Sequence, residues 1–248
     1  MTRQGDFKLG CVFLLLGFAS ALLGIIIGHL LGKFFAFSSA AAFLGIAGAY
    51  MFSCPRIIGK NRSGGLVAAS YVVFWPFHIL NHLSLALFRW SGKSALFDEV
   101  LPGLFLGSRL CWRDESRFGK LNACAVLDLT SEFGEVGFLR KAPAYLCIPL
   151  LDRTAPSFAE FEAAIGFIRE QLLRGTIYVH CALGHGRSAT VVVAYLVATG
   201  KFANIDEALA HIQSKRPGVG LNTSQSRALR GFILWMKKSS TSSMSATR

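Results

Sequence analysis

Acidic residues are almost missing from the first 97 positions, where Asp6 stands alone against eight lysines and arginines. The remaining residues carry thirteen acids and eighteen bases, the mixed surface of a soluble domain. The formal charge of +12 therefore has two sources: basic flanks around apolar runs, and a mildly basic domain suited to anionic substrates or an anionic lipid surface. Runs of basic residues are missing as well. No stretch of Lys or Arg exceeds two, so no nucleic-acid partner is expected. The six cysteines (Cys11, Cys54, Cys111, Cys124, Cys147 and Cys181) lack disulfide or zinc spacing. They suit a reducing compartment, and most fall in apolar stretches where a thiol packs as a small hydrophobe. No internal repeat is visible.

Long apolar runs are present. Residues 9–32 and 34–54 are uncharged for 24 and 21 positions, each long enough to cross a bilayer as a helix. The first is too long for a cleaved signal peptide, and a second run follows at once. Small residues (Gly17, Ala19, Gly24 and Gly28 in one run; Ala40, Ala41, Gly45 and Gly48 in the other) would let the two helices pack closely. A third run, residues 66–90, places His78, Asn81, His82 and Arg89 on one helical stripe after Pro76, with Ile79, Leu80, Leu83, Leu87 and Trp90 opposite. That pattern fits an interfacial amphipathic helix, with a third span as the alternative. A metal site at His78 and His82 lacks a third ligand.

With two spans, Arg3, Lys8, Arg56, Lys60, Arg62, Arg89 and Lys93 share one side and only Lys33 lies on the other. This positive-inside bias predicts a multi-pass membrane protein with its soluble domain in the cytoplasm; three spans would place the domain on the opposite side. The expected organisation is a transmembrane hairpin over 1–65, an amphipathic or third membrane helix and linker over 66–97, a soluble α/β domain over 98–237, and a disordered Ser/Thr-rich tail over 238–248.

In the soluble part, short apolar runs at 103–107, 125–129, 145–150 and 176–180 are bounded by turn formers and predict buried strands. Ser157 and Glu160 form a capping-box signature. The helix they open would place Phe158, Phe161, Ile165, Ile168 and Leu172 on one face. Further helices are expected over 187–199, 205–214 and 224–237, with Asn204 and Asn222 placed as caps.

The chemistry concentrates in His180-Cys181-Ala182-Leu183-Gly184-His185-Gly186-Arg187-Ser188. A strand ends in His180-Cys181 and a helix begins near Arg187, with two glycines in the turn between them. Such a loop points successive N–H groups inward, and the helix adds its positive end, which makes an anion cradle. The same dipoles stabilise a thiolate at Cys181. Arg187 offers a planar fork for two phosphate oxygens.

These residue types at this spacing resemble the cysteine-dependent protein tyrosine phosphatase superfamily. Residues 99–235 are similar to its compact dual-specificity branch, in particular to the group containing the mitochondrial phosphatidylglycerophosphate phosphatase. Supporting features are residues 100–108 at the start of the domain, Leu150-Leu151-Asp152, Arg216-Pro217 and Asn222. The resemblance implies a dual-specificity-phosphatase-like fold, a central, mostly parallel sheet flanked by helices, here preceded by the transmembrane hairpin.

It also implies roles. Cys181 is the nucleophile. Arg187 and the amides of Ala182, Leu183, Gly184, His185, Gly186 and Arg187 bind phosphate. Asp152 is the general acid, 29 residues before the cysteine, and Asp128 is a rival read as structural. Ser188 assists the leaving thiolate, His180 orients the loop, and Asn222 supports it. No metal or cofactor is needed. The partners expected are a bilayer and a phosphorylated protein or phospholipid. The loop lacks the lysines that accompany polyanionic inositol lipids, and His185 supplies only partial charge near neutral pH, so a single phosphate is expected. A catalytically silent phosphate-binding scaffold and a sulfur transferase are the competing readings of the loop.

Overall fold

Gly10, Gly17 and Gly24 recur every seven residues along α1 (Phe7–Ile26) and are buried in the computed structural model. The structure describes residues 6–92 and 95–245. Arg3 and Lys93 of the charge bias, and 246–248 of the expected tail, lie outside the described residues. A Cβ on Gly17 would come within 2.9 Å of Leu44, and one on Gly24 within 3.0 Å of Phe37, both on α2 (Leu30–Met51). The pairs run in opposite directions along the two helices, so α1 and α2 form an antiparallel hairpin held by close approach. The seam differs from expectation at its ends: a Cβ at Gly28 or Gly48 would meet nothing within 4 Å, and Gly10 joins it against Met51. Gly45 faces Phe74 instead of α1. Both helices are long and apolar enough to cross a membrane.

The third apolar run is broken in two. α3 (Ala68–Val73) and α4 (Trp75–Trp90) meet at Phe74, with Pro76 in the first turn of α4, where a proline starts a helix without losing a bond. At 1.5 Å per residue α4 is about 24 Å long and α3 far shorter, so neither spans a bilayer core. Ser70 Oγ lies 2.9 Å from His78 Nε2 across the break, and the His82 ring meets Phe133. Phe74 and Phe77 join Ile46 and Tyr50 of the hairpin in one buried cluster, together with Ile58 and Leu151.

The soluble part is a five-stranded sheet in the order β1-β2-β5-β3-β4, from β1 (Phe97–Leu101), β2 (Leu104–Ser108), β3 (Ala123–Thr130), β4 (Ala144–Leu150) and β5 (Thr176–Cys181). Only β1 is antiparallel to its neighbour, so the sheet is mostly parallel. β1 was not anticipated because Asp98 and Glu99 interrupt its apolar run. Both acids are satisfied at the sheet edge, Asp98 by Arg216 at 2.6 Å and Glu99 by the Gly103 N–H at 2.8 Å.

Helices α5 (Glu115–Gly119) and α6 (Gly137–Arg140) are single turns in connections. α7 (Phe158–Leu172), α8 (Arg187–Ala198) and α9 (Ile205–Lys215) pack with α10 (Thr223–Ser245) around the core formed with the sheet. The Ser157–Glu160 capping box forms, and Asn204 and Asn222 accept from the amides of Glu207 and Gln225. α10 runs on to Ser245, through much of the segment expected as a tail. Once Phe232 and Trp235 fix the preceding turns against Phe158, each added residue gains a backbone bond without a new nucleation cost. All six cysteines are free thiols.

Candidate active site

Parallel strands bring several loops to one edge. The turns after β3, β4 and β5 all open at the carboxyl ends of neighbouring strands, the usual location of a site in such sheets. The loop after β5 wraps around Cys181. Gly184 there has φ +75°, and a Cβ on it would lie 2.4 Å from the Gly107 carbonyl oxygen, so only glycine fits. Cys181 Sγ accepts from the Gly184 N–H at 3.3 Å and from Ser188 Oγ at 3.2 Å. Both contacts place a donor on the sulfur. From outside the loop, buried Arg216 takes the carbonyls of Leu183 at 2.9 Å and Gly184 at 3.0 Å. With those acceptors turned outward, the N–H groups are left to the cavity side. Burial and the Arg216 charge push His185 below its ordinary value, so it contributes little positive charge at neutral pH.

Arg187, fully buried at the start of α8, is gripped by a residue absent from the sequence reading. Glu132 accepts from Nη1 at 2.8 Å and Nη2 at 2.6 Å, a bidentate pair, and the Leu150 carbonyl takes a further Nη1 proton at 2.8 Å. Burial opposes ionisation of Glu132, but Arg187 outweighs it and lowers the carboxyl below its usual range. Arg187 Nε has no hydrogen-bond partner among the described residues, and Asp152 Oδ1 lies 3.3 Å from Nη2. That edge of the guanidinium is the one nearest Asp152. Asp152 is 54% exposed at its side chain. Its loop is tied down by its neighbour: Arg153, at φ +61°, offers its carbonyl to Asn222 Nδ2 at 2.7 Å and its guanidinium to Asp6 at 3.1 Å.

Behind the loop lies a buried charge cluster. His180 Nε2 is 3.3 Å from Glu135 and 4.0 Å from Asp128, and its ring stacks on Tyr178. The compensating cation comes from the segment after the hairpin: Lys60 Nζ donates to Asp128 at 2.5 Å and to Thr130 Oγ1 at 2.6 Å, with neither charged side chain exposed. Tyr145 and Thr130 complete the hydrogen bonds to Asp128. Burial alone would raise Asp128, but Lys60 and His180 hold it well below the usual carboxylate range. Burial pushes Glu135 up, with His180 pulling down and Asp128 adding to the rise. Asp128 is buried and paired with Lys60 behind the loop. Cys147, pushed up to about 12 by burial and Asp128, stays a thiol and is no rival nucleophile.

One cavity of about 270 Å³ collects these parts, lined by Cys181, Arg187, Asp152, Glu132, Asn222 and Gln225. Its opposite wall is α4, through Asn81, Ser84 and Leu85. Every site residue expected from the sequence lies in or directly behind this cavity. Glu132, Glu135, Lys60 and the α4 wall were missed. The acids just after β3 were the available signal for the first two.

Residues 104–233 match the model of the dual specificity phosphatase catalytic domain. The phosphatidylglycerophosphate phosphatase PTPMT2 of Arabidopsis thaliana is 32% identical over 76% of this chain and 83% of its own length. Human dual specificity protein phosphatase 22 is 30% identical over 54% of this chain and 72% of its own. The solved structure of PTPMT1 in complex with PI(5)P superposes with a TM-score of 0.53 at 22% identity, covering 59% of this chain and 99% of that one, which shows a shared fold. With the thiol, the guanidinium and the loop already in one cavity, the match fixes the assignment: the chain belongs to the dual-specificity phosphatase family, on the side of the phosphatidylglycerophosphate phosphatase group, and is a phosphoric monoester hydrolase.

Proposed function

We propose that this phosphatase is anchored in a membrane by α1 and α2, with its catalytic domain on the cytoplasmic side, and hydrolyses a lipid monophosphate through a cysteinyl-phosphate. The observation that carries the lipid reading is the cavity wall: a helix packed on the apolar hairpin lines the same cavity as Cys181. A cavity of about 270 Å³ is below the usual range for drug-sized ligands, roughly 300–1,000 Å³. It holds a headgroup and leaves acyl chains outside.

In the first step Cys181 Sγ bonds to phosphorus and the ester P–O bond breaks. Arg187 and the loop amides hold the equatorial oxygens, and Asp152 protonates the departing alkoxide. In the second step water gives a proton to the Asp152 carboxylate and attacks phosphorus, the P–S bond breaks, and Ser188 stabilises the released thiolate. Asp152→Ala is expected to cut kcat about 10²-fold or more on alkyl phosphates and far less on p-nitrophenyl phosphate, whose leaving group needs no proton. Equal losses on both would move the acid elsewhere.

Kinship with dual specificity phosphatase 22 keeps a phosphoprotein substrate as the second reading. The deciding measurement is phosphate release by the full chain in detergent, from micellar phosphatidylglycerophosphate and phosphatidic acid and from phosphotyrosine and phosphoserine peptides. Higher kcat/KM on a lipid is expected. Turnover of peptides alone would overturn the lipid assignment.

A further inference from the structure

The helix that walls the cavity has a second face with nothing on it. On the catalytic side of α4, Phe77 and His78 are buried, Leu85 lines the cavity, and the Phe88 ring meets His185 of the loop at 5.5 Å. Arg89 closes this side through Nη2, which donates to both carboxylate oxygens of Asp114 at 2.9 and 2.8 Å. On the other side Ile79, Leu80, Leu83, Leu87 and Trp90 are 44–87% exposed. A soluble surface rarely shows so continuous an apolar stripe without a partner.

The start of α4 indicates the medium that covers it. The Trp75 ring packs on Phe35 at 5.8 Å, and its Nε1–H reaches Ser38 Oγ at 3.4 Å. Ser38 is 13 residues before Met51, the end of α2, which is about 20 Å along a helix. The first turn of α4 therefore lies beside the interior of the apolar hairpin. The hairpin's own Leu15, Phe18, Leu22 and Phe34 are exposed as well. The medium that solvates the hairpin beside Phe35 and Ser38 reaches the first turn of α4.

We infer that α4 is seated in the membrane leaflet by its outer face while its inner face walls the catalytic cavity, so that the cavity opens to the bilayer and admits a lipid phosphate monoester laterally. The partner of the stripe is the lipid surface itself. This deepens the lipid reading above and rests on it for the substrate, though the seating of α4 is testable without turnover. Phe88 against His185, and Arg89 on Asp114, make the wall rigid with the loop, so seating α4 also sets the height of Cys181 over the leaflet.

The test uses the full chain reconstituted in phosphatidylcholine vesicles doped with phosphatidylglycerophosphate. Leu83→Glu with Leu87→Glu should lower lipid turnover at least about tenfold, because two leucines that would seat in the leaflet are exchanged for charges. Turnover of soluble p-nitrophenyl phosphate should stay within about twofold, since neither residue lines the cavity. The second readout is fluorescence in vesicles with dibrominated acyl chains, where the Trp90 contribution, taken as the difference from Trp90→Phe, should be quenched. Native lipid turnover in the double variant, or an unquenched Trp90, overturns the seating and returns the stripe to a protein partner. If both substrates are lost in the double variant, quenching at Trp90 decides. If the native chain turns over no lipid phosphate while Trp90 is quenched, the substrate assignment falls and the seating stands.

Discussion

Cys181→Ser is expected to abolish turnover of p-nitrophenyl phosphate, with a fall of at least about 10⁴-fold, the scale on which loss of a nucleophile is felt when no second group substitutes for it. The surroundings explain why a serine would not serve. Sγ is held by donors only, the Gly184 N–H and Ser188 Oγ. Donors stabilise a thiolate that is already formed, whereas a serine hydroxyl needs a base to remove its proton. His180 directs Nδ1 to the Cys181 carbonyl at 3.4 Å, and its Nε2 lies 3.3 Å from Glu135, so both nitrogens lie against groups other than the reacting sulfur. Arg187 remains paired with Glu132, and the serine variant should keep native Tm and bind inorganic phosphate in a titration. Rapid acid quench of the native enzyme during turnover should leave phosphate bound to protein, and the serine variant should leave none. Unchanged turnover in the variant would remove Cys181 from the chemistry.

The nucleophile loop was legible because all of its chemistry lies in nine consecutive residues. Strand, thiol, glycine turn and helix start are local properties, and the fold adds only the cavity around them. The hairpin was legible for a similar reason, since length and apolarity alone define a candidate span. What escaped was every interaction formed across long sequence separation. Glu132 meets Arg187 from 55 residues away, and Lys60 meets Asp128 from 68. Lys60 was read only as one of several flanking positive charges, because nothing near it in sequence distinguishes it from Arg56 or Arg62. Those two are exposed; Lys60 is buried in the soluble domain. The run 66–90 shows the converse limit. Its stripe of polar residues was read correctly as one helical face, but what that face touches, the catalytic cavity, is set by loops from Glu132 to Gln225.

The buried pair makes the hairpin linker part of the catalytic domain in energetic terms, and Lys60→Met is the exchange that exposes this. Methionine matches the aliphatic stem and removes the charge, leaving Asp128 ionised in a site with no exposure. Breaking one partner of a buried ion pair costs about 3–5 kcal/mol. At roughly 2–4 °C per kcal/mol for a chain of this size, the expected fall in Tm is about 6–20 °C. The remaining donors to Asp128, Tyr145 Oη–H and the Thr130 N–H and hydroxyl, argue for the lower part of that range. The sign of the effect reverses for the pair. In Lys60→Met with Asp128→Asn no charge is stranded, so the double variant should recover more than half of the lost stability, since both halves of the desolvation cost disappear together. Thermal unfolding of the native chain and the two variants in detergent measures this directly. A single variant as stable as the native chain would mean that Lys60 does not reach Asp128. A double variant no better than the single would mean that the loss comes from packing around the linker. Where the coupling is confirmed, displacement of the linker acts on His180 as well, because Asp128 sits 4.0 Å from its ring, one residue before the nucleophile.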